Sequence, residues 1–306
     1  MAISAKDVME LRKQTDCGMM ECKKALTEAD GNFEKAIEIL RERGLATAAK
    51  KAGRIAAEGM VYADYCPECK VGVVIEVNAE TDFVAKNDKF VDFVKKATKV
   101  IMEQNPADVE TLMNCKMGDE TVDQALKELI LVIKENIKVR RFTRYEGVCS
   151  AYVHGGGTHG ILVNFETTNG IEAKDEFVAY GKDIAMQVAA ANPSYVDEAS
   201  VPAEVVAKEK EIMLAQMAQD PKNANKPENV KQKMIEGKIK KFFKENCLVD
   251  QEFVKDGDLS VAQYTAKVAK DLGGDIKIVK FARFQKGEGL EKRADDFAAE
   301  VASMVK

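Results

Sequence analysis

Two short segments carry the side chains that most often do chemistry. Cys66 and Cys69 form a Cys-Pro-Glu-Cys motif, and His154 and His159 bracket three glycines and a threonine. A thiol pair can bind a soft metal or cycle between dithiol and disulfide. A His-Gly-Gly-Gly segment can form the oxyanion loop of a lipase-type hydrolase. A thiol- or metal-dependent enzyme is therefore one hypothesis for this chain.

The remaining sequence completes neither site. A structural zinc site needs four ligands, usually from two such pairs, and a redox Cys-x-x-Cys opens a helix in a thioredoxin-like unit. The glycine segment has no accompanying G-x-S-x-G nucleophile motif, and no Lys-Ser or Lys-Thr follows it as in a phosphate-binding loop. We expect two hairpin tips and no catalytic residue, metal or cofactor. A metal shared between Cys66, Cys69 and a distant cysteine stays open.

A third segment, EVNAETDFVAKN at residues 76–87, offers an interaction surface rather than a reaction. It passes from an apolar strand into a polar turn, where Thr81 and Asp82 are predicted to cap a helix. Phe83 follows at the edge of that helix. An aromatic ring beside a carboxylate at such a junction either fills the core or projects toward a partner.

An internal repeat indicates how these segments are positioned. EGMVYA at 58–63 recurs as EGVCSA 88 residues later, at 146, and Asn-Pro at 105 recurs 87 residues later, at 192. Each copy is predicted to form a strand, a hairpin, a second strand and then a helix, at 89–103 and 175–191. Where the first copy has Phe83, the second has a Thr-Asn-Gly segment. Phe83 is therefore not needed to close a core and is available for a partner.

A basic segment joins the two copies. Residues 122–138 have the pattern of an amphipathic helix, and a strand at 139–144 carries three arginines. Arg140, Arg141 and Arg144 are predicted to form a solvated face. A weak RNA site, which would lack an aromatic platform, is the alternative.

The ends of the chain and one insertion are predicted to be helical. Three apolar stripes at helical spacing divide residues 4–44, with Ser4 and Asp7 at capping-box spacing and Gly44 at the end of the third helix. A helical linker is expected at 46–57. Later segments predict an antiparallel helical hairpin at 203–219 and 227–244, a strand at 276–284 and a closing helix at 295–304.

Composition favours a cytoplasmic protein with reduced thiols. The 306 residues carry a net charge of −5 with both signs dispersed, which argues against direct nucleic-acid binding. The N-terminus lacks an apolar signal core, and no apolar run reaches membrane-spanning length. The cysteines are odd in number and lack the spacing of a disulfide framework: positions 17, 22, 66, 69, 115, 149 and 247.

Three of these segments resemble the elongation factor Ts family. LRKQTDCGMMECKKAL at 11–26 is similar to its first signature and EVNAETDFVAK at 76–86 to its second. FARFQKGEGLEK at 281–292 is similar to its closing strand and turn. Because the matches lie at the start, the quarter point and the end, the resemblance covers nearly all of the chain.

The pattern and the resemblance together predict an α+β fold. It consists of an N-terminal three-helix bundle like a ubiquitin-associated domain, two repeated α+β core subdomains with antiparallel sheets, an inserted antiparallel helical hairpin (a coiled coil) and a C-terminal helix. The expected units are the N-terminal module with its linker at 1–53, the first core subdomain at 54–145, the second at 146–202 and 246–286, the hairpin at 203–245 and the C-terminal module at 287–306.

The resemblance implies a guanine-nucleotide exchange factor without covalent chemistry. It implies that the chain binds elongation factor Tu with GDP and promotes GDP release by disrupting the Mg²⁺ and nucleotide site, so that GTP can load. The implied residues at that site are Thr81, Asp82, Phe83 and Val84, and those contacting the partner elsewhere are Lys23, His154 and Val254. No nucleic acid or membrane partner is expected. A dimer of the complex, or self-association through the hairpin, stays open.

Overall fold

The computed structural model describes residues 3–15, 17–220 and 226–291, and its elements confirm the α+β class. The α-helices of the described residues are α1 (Ala5–Thr15), α2 (Met19–Glu28), α3 (Phe33–Lys51), α4 (Asp88–Gln104), α5 (Val109–Asn114), α6 (Val122–Ile133), α7 (Asp175–Ala191), α8 (Ala203–Gln219), α9 (Glu228–Asn246) and α10 (Val261–Leu272). Their strands are β1 (Glu58–Cys66), β2 (Val71–Ala79), β3 (Lys116–Met117), β4 (Glu120–Thr121), β5 (Lys138–Glu146), β6 (Val148–His154), β7 (His159–Thr167), β8 (Glu252–Phe253), β9 (Asp256–Ser260) and β10 (Ile276–Gln285).

The strands pair in four antiparallel sheets within the described residues. One three-stranded sheet has the order β1-β2-β5 and the other has the order β10-β7-β6. The remaining two sheets are the short hairpins β3-β4 and β8-β9. Each large sheet packs its own helices on one face, which gives each a separate apolar core. The antiparallel pairing predicted for both core units is confirmed.

The N-terminal bundle forms as predicted, except at the end of its third helix. The Ser4 amide donates to the Asp7 carboxylate at 3.1 Å and the Asp7 amide donates to the Ser4 hydroxyl at 3.2 Å, which closes the predicted capping box. The prediction that α3 ends at Gly44 is wrong, because α3 continues to Lys51. A side chain at Gly44 would meet the Lys127 carbonyl oxygen at 3.3 Å. Glycine is there because α3 lies close against α6. Residues 46–51 of the predicted linker helix are the end of α3, and the prediction is wrong for residues 52–57, which are not helical.

The internal repeat is a structural repeat. The bounds of β2 and β7 differ by 88 residues at both ends, while those of α4 and α7 differ by 87. A 3₁₀ turn precedes each helix, at Val84–Lys86 and Ile171–Ala173, again 87 residues apart. The single-residue deletion therefore falls in the loop between strand and turn. That loop is residues 80–83 in the first copy and residues 168–170 in the second.

The two large sheets pack face to face around matching glycines. A side chain at Gly72 would lie 2.5 Å from Leu162 Cδ1, and one at Gly160 would lie 2.4 Å from Val61 Cγ1. Gly72 and Gly160 are equivalent in the repeat. The glycine of each copy thus receives an aliphatic side chain of the other copy, as in a twofold-symmetric interface. The small apolar cluster between the sheets also contains Ala63, Val74 and Cys149.

The inserted hairpin has a small core of its own. Met217 of α8 packs with Ile235 and Ile239 of α9, and no residue of the two sheets belongs to this cluster. At its base, the amides of Ser194 and Tyr195 donate to the Asn246 carbonyl at 2.9 and 3.0 Å. The predicted pair of antiparallel helices is confirmed, with α9 ending two residues later than expected.

The helix predicted at 295–304 lies outside the described residues. Among the described helices, none is both long enough and apolar enough to cross a lipid bilayer.

We predict that Gly160→Ala destabilises the protein. The added methyl would need space that Val61 and Val74 already occupy, and overpacking of this kind lowers the free energy of unfolding by about 1–3 kcal/mol. Gly257→Ala is the matched control, since a Cβ there meets no atom within 4 Å. Urea unfolding measures both, and equal midpoints for the two variants would contradict close packing of the sheets.

Candidate functional site

The candidate site is the four-residue loop between β2 and the 3₁₀ turn before α4. The sequence predicted that Thr81 and Asp82 cap the helix, and this is wrong. Asn87 is the N-cap of α4, and its side chain accepts a hydrogen bond from the Lys89 amide at 3.0 Å. Residues 81–86 thus form a bend and a 3₁₀ turn before the helix begins, which leaves Phe83 on the connection rather than at the helix edge.

Phe83 is exposed while the residue that follows it is buried. The Phe83 side chain is 78% exposed, the highest value among the large hydrophobic side chains of the described residues. Asp82 beside it is also exposed. Val84 is 5% exposed and packs in the core of the first unit. Of the four residues predicted to act together, Val84 therefore anchors the loop, while Asp82 and Phe83 offer polar and aromatic surface.

One carboxylate holds the start of this loop. Glu135 Oε2 accepts hydrogen bonds from the amides of Glu80 and Thr81, both at 3.0 Å. Glu135 Oε1 accepts a third bond, of 2.6 Å, from the Thr81 hydroxyl. Hydrogen bonds to an ionised acceptor are stronger than neutral ones. The Thr81 side chain is thereby committed to the loop's own structure and does not cap a helix.

A second set of bonds ties the same loop to the segment before β5. The Asn136 amide donates to Glu80 Oε1 at 2.6 Å, and its side-chain amide donates to the Arg54 carbonyl at 2.7 Å. Arg54 lies 3.5 Å from the other Glu80 carboxylate oxygen. Glu135 therefore holds the backbone at 80–81, Asn136 holds the Glu80 side chain, and the buried Val84 fixes the far side of the loop. Asp82 and Phe83 project from a supported turn.

The equivalent loop of the second copy has the same type of support but no projecting ring. Thr168 accepts a 2.8 Å bond from the Asp275 amide, and its hydroxyl lies 3.3 Å from the Asp275 carboxylate. The position equivalent to Phe83 is Gly170, with φ of 68°. Glycine adopts this left-handed conformation without strain. The exposed aromatic is thus specific to the first copy.

The other three predicted contact residues lie on three different elements. Lys23 is exposed on α2. His154 is exposed at the end of β6, and its Nδ1 lies 3.0 Å from the Tyr152 hydroxyl. Val254, in the β8–β9 turn, is 51% exposed, and its amide donates to Gln187 Oε1 at 2.8 Å. The structure presents all three to solvent but does not bring them together.

The two segments with chemistry-bearing side chains are hairpin tips, as predicted. Cys66 and Cys69 lie at the β1–β2 tip, where the thiols are free. At the β6–β7 tip, Gly157 has φ of 100° and its carbonyl accepts a 2.8 Å bond from the Val61 amide. Burial, with Arg283 nearby, lowers the pKa of His159. Within the described ranges, no three His, Cys, Asp or Glu side chains are grouped to hold a metal ion.

The basic strand is not a solvated face, so that prediction is wrong. Glu76 of β2 is fully buried, and its carboxylate lies 3.0 Å from an Arg140 guanidinium nitrogen and 2.6 Å from Arg141 Nε. A bulge in β5 inserts one extra residue opposite Glu76, which brings two consecutive arginines to one carboxylate. The Gly287 amide also donates to Glu76 at 2.8 Å, so this cluster holds the end of β10 against the first unit. The Arg144 side chain is only 14% exposed.

Sequence reasoning missed the residues that support the loop. Glu135 and Asn136 are distant in sequence from residues 80–81, and nothing local marks them as partners. The internal repeat offered one signal for these supporting residues. Asp275 precedes β10 and Glu135 precedes β5, so each copy has a carboxylate shortly before its third strand. Glu76 was visible as a carboxylate in an otherwise apolar strand, which predicts a buried ionic partner.

Comparison with known proteins agrees with the sequence motifs. The family model described as Elongation factor TS matches residues 80–288. The Elongation factor Ts of Clostridium perfringens (strain 13 / Type A) is 48% identical over 307 residues, which cover 99% of each chain. The Elongation factor Ts of Syntrophotalea carbinolica is 47% identical over 100% of both chains. That of Trichlorobacter lovleyi is 46% identical over 99% of this chain and 98% of the relative. The chain described here belongs to the elongation factor Ts family of translation elongation factors.

Proposed function

We propose that this chain is the guanine-nucleotide exchange factor of elongation factor Tu, and that Phe83 and Asp82 are the residues that open the nucleotide site. The observation that supports this most is the exposure of Phe83, 78%, on a loop fixed on both sides. Single exposed apolar side chains are common on protein surfaces. Phe83 differs from them because Glu135 and buried Val84 hold its loop in place and because the second copy has Gly170 at the equivalent position, which favours a partner for the ring. The GTPase supplies that partner.

The physical basis is differential binding. An exchange factor makes no covalent change, so it accelerates release only if it binds the nucleotide-free conformation of the GTPase better than the GDP-bound one. In P-loop GTPases, Mg²⁺ bridges phosphate oxygens and neutralises their charge. Phe83 would enter an apolar gap beside the elements that hold this ion, and Asp82 would contact the adjacent polar surface. The metal belongs to the GTPase, and this chain displaces the elements around it.

The free energy of burying the Phe83 ring is large enough to accelerate nucleotide release. Tenfold faster release needs a barrier lower by about 1.4 kcal/mol. Burying one phenylalanine side chain contributes about 1.5–3 kcal/mol. One ring that is buried only when the nucleotide site opens can thus accelerate release by ten- to hundredfold, and neighbouring contacts add to this.

The supported loop makes that contact efficient. Because Glu135 already orders residues 80 and 81, little conformational entropy is lost when the ring is buried. Lys23, His154 and Val254 would contact the GTPase at other surfaces. Since these residues lie on separate elements, they hold the partner at several points and give Phe83 a high effective concentration.

We predict that Phe83→Ala slows GDP release from elongation factor Tu by about ten- to hundredfold, because the lost ring burial is about 1.5–3 kcal/mol. Release of fluorescent GDP in a stopped-flow instrument measures this. Val178→Ala, an exposed apolar residue on α7, is the matched control and should leave the rate unchanged. A normal rate in a folded variant that lacks both Phe83 and Asp82 side chains would refute the proposal.

We predict a smaller effect for Glu135→Ala, about three- to tenfold slower release. The loop loses three hydrogen bonds and must be ordered when it binds, at a cost of about 0.6–1.4 kcal/mol. Asp275→Ala, which removes the equivalent carboxylate from the second copy, should not change the rate. Hydrogen exchange of the 80–83 amides should accelerate in the first variant only. An unchanged rate of hydrogen exchange at these amides in Glu135→Ala would show that Glu135 does not order the loop.

We predict that replacing residues 204–244 with a short linker preserves most exchange activity. The hairpin has its own apolar cluster, and the bonds from Ser194 and Tyr195 to Asn246 lie outside the deletion. Nucleotide release tests this directly, and complete loss in a folded protein would mean that the hairpin contributes to exchange. Sedimentation of the same variant decides whether the hairpin mediates self-association.

A further inference from the structure

The tip of the β1–β2 hairpin places two thiols in one tight turn. Cys66 is the last residue of β1 and pairs with Val71 across the hairpin, so the loop is residues 67–70. Lys70 closes this loop with φ of 51°, the left-handed residue that often ends such a turn. The first and fourth residues of a β-turn lie within about 7 Å between Cα atoms, and disulfides form at about 4.4–6.8 Å. Cys66 and Cys69 are three residues apart in this tight hairpin loop, so the backbone brings the two cysteines close together.

The side chains confirm this proximity. The Cys69 amide donates a 3.2 Å hydrogen bond to Cys66 Sγ. A hydrogen bond between the two thiols raises the pKa of Cys69. The Cys66 thiol also donates a 3.5 Å hydrogen bond to a Glu68 carboxylate oxygen, which positions the thiol within the turn. Because the Cys69 amide is directed at the Cys66 sulfur, we assign Cys66 as the nucleophile and Cys69 as the second thiol.

These two sulfurs are also accessible. Cys69 is exposed and Cys66 partly exposed, whereas Cys17, Cys22, Cys149 and Cys247 are buried. Of the other described cysteines only Cys115 is partly exposed, and its Sγ bonds to the Thr111 carbonyl within its own segment. The second copy has no equivalent pair, since His154 and Gly157 occupy the positions of Cys66 and Cys69. The dithiol is a feature of the first copy alone.

A metal site does not account for the pair. Tetrahedral zinc takes four protein ligands in structural sites. Within the described residues, Cys66 and Cys69 belong to no group of three or more His, Cys, Asp or Glu side chains arranged to hold a metal ion, although Glu68 lies beside Cys66. A dithiol needs no further ligand in order to oxidise. The two thiols alone are sufficient to form a disulfide when an oxidant reacts with one of them.

We propose that Cys66 and Cys69 form a reversible dithiol–disulfide site that reacts with hydroperoxides. The Cys66 thiolate attacks one peroxide oxygen, which gives a sulfenic acid and, for hydrogen peroxide, one water after protonation. Cys69 sulfur then attacks Cys66 sulfur, the S–S bond forms, and a second water leaves. In total, two thiols and one H₂O₂ give one disulfide and two waters. Two external thiols reverse the step by exchange.

The effect of oxidation is confined to the tip. The pairing of Cys66 with Val71 does not involve either sulfur, so the hairpin register is retained. The tip is attached to the second unit, because the Gly147 amide donates to the Lys70 carbonyl at 2.8 Å and Lys70 Nζ lies 3.4 Å from Glu172. A disulfide would make this attached tip rigid. The site is independent of the exchange function proposed above.

The test treats the full chain with one equivalent of hydrogen peroxide, blocks remaining thiols with an alkylating reagent and analyses peptides by mass spectrometry. The peptide that contains residues 66–69 should lose two hydrogens and take no alkyl group, about tenfold faster than the Cys115 peptide loses its thiol. Dithiothreitol should restore both thiols. Cys69→Ser should accumulate a sulfenic acid at Cys66 that dimedone traps, while Cys66→Ser should react slowly.

The variants lie in an exposed turn, and Cys115→Ser is the matched control, which should leave disulfide formation unchanged. Two free thiols at 66 and 69 after Cys115 has oxidised would overturn the proposal. Intermolecular disulfides at either position, or a stoichiometric Zn²⁺ that these thiols retain against a chelator, would also overturn it.

Discussion

The structure keeps a phenyl ring in water by fixing the backbone on either side of it. Val84 is buried in the core, and Glu135 and Asn136 hold residues 80 and 81 by hydrogen bonds. A free loop would fold the ring back onto the nearest apolar surface, because burying it is favourable by about 1.5–3 kcal/mol. The supported loop prevents this collapse and leaves the favourable burial for a partner. The proposed exchange activity depends on this constraint.

The repeat makes the specialisation of the first copy visible. Both copies share strands, turn and helix with offsets of 88 and 87 residues, and their sheets pack through equivalent glycines. They differ at three places that carry special chemistry. Phe83 corresponds to Gly170, Cys66 corresponds to His154, and buried Glu76 corresponds to Asn164. Since the scaffold is the same, these differences are not required by the fold.

Buried Glu76 connects the copies in a further way. It accepts hydrogen bonds from Arg140, Arg141 and the Gly287 amide, so one carboxylate joins β5 to the turn after β10. Arg141 continues the link, since its guanidinium lies 4.3 Å from the Phe284 ring centroid. The end of the second unit is thereby held beside the strand that leads to the candidate loop. Asn164 in the second copy instead donates to the carbonyls of Glu146 and Val148, at the junction between β5 and β6.

Local patterns predicted most of the fold. Alternating and helical periodicities located the strands and helices, and α7 and α8 have the predicted bounds. The repeat also identified Phe83 as the unmatched residue. Long-range geometry could not be predicted in this way. The β5 bulge places Arg140 beside Glu76, and Glu135 bonds to a loop 54 residues away. Gly44 lies within α3 and not at its end, and the absence of a side chain there permits the close approach of α6.

The proposed exchange mechanism requires the Phe83 ring to lie against the GTPase once the nucleotide has left. The structure of the complex between this chain and nucleotide-free elongation factor Tu would locate the ring. We expect the ring, 78% exposed in the free chain, to be buried there against elements that surround the Mg²⁺ site. A complex that exchanges nucleotide normally while this ring remains in solvent would contradict it.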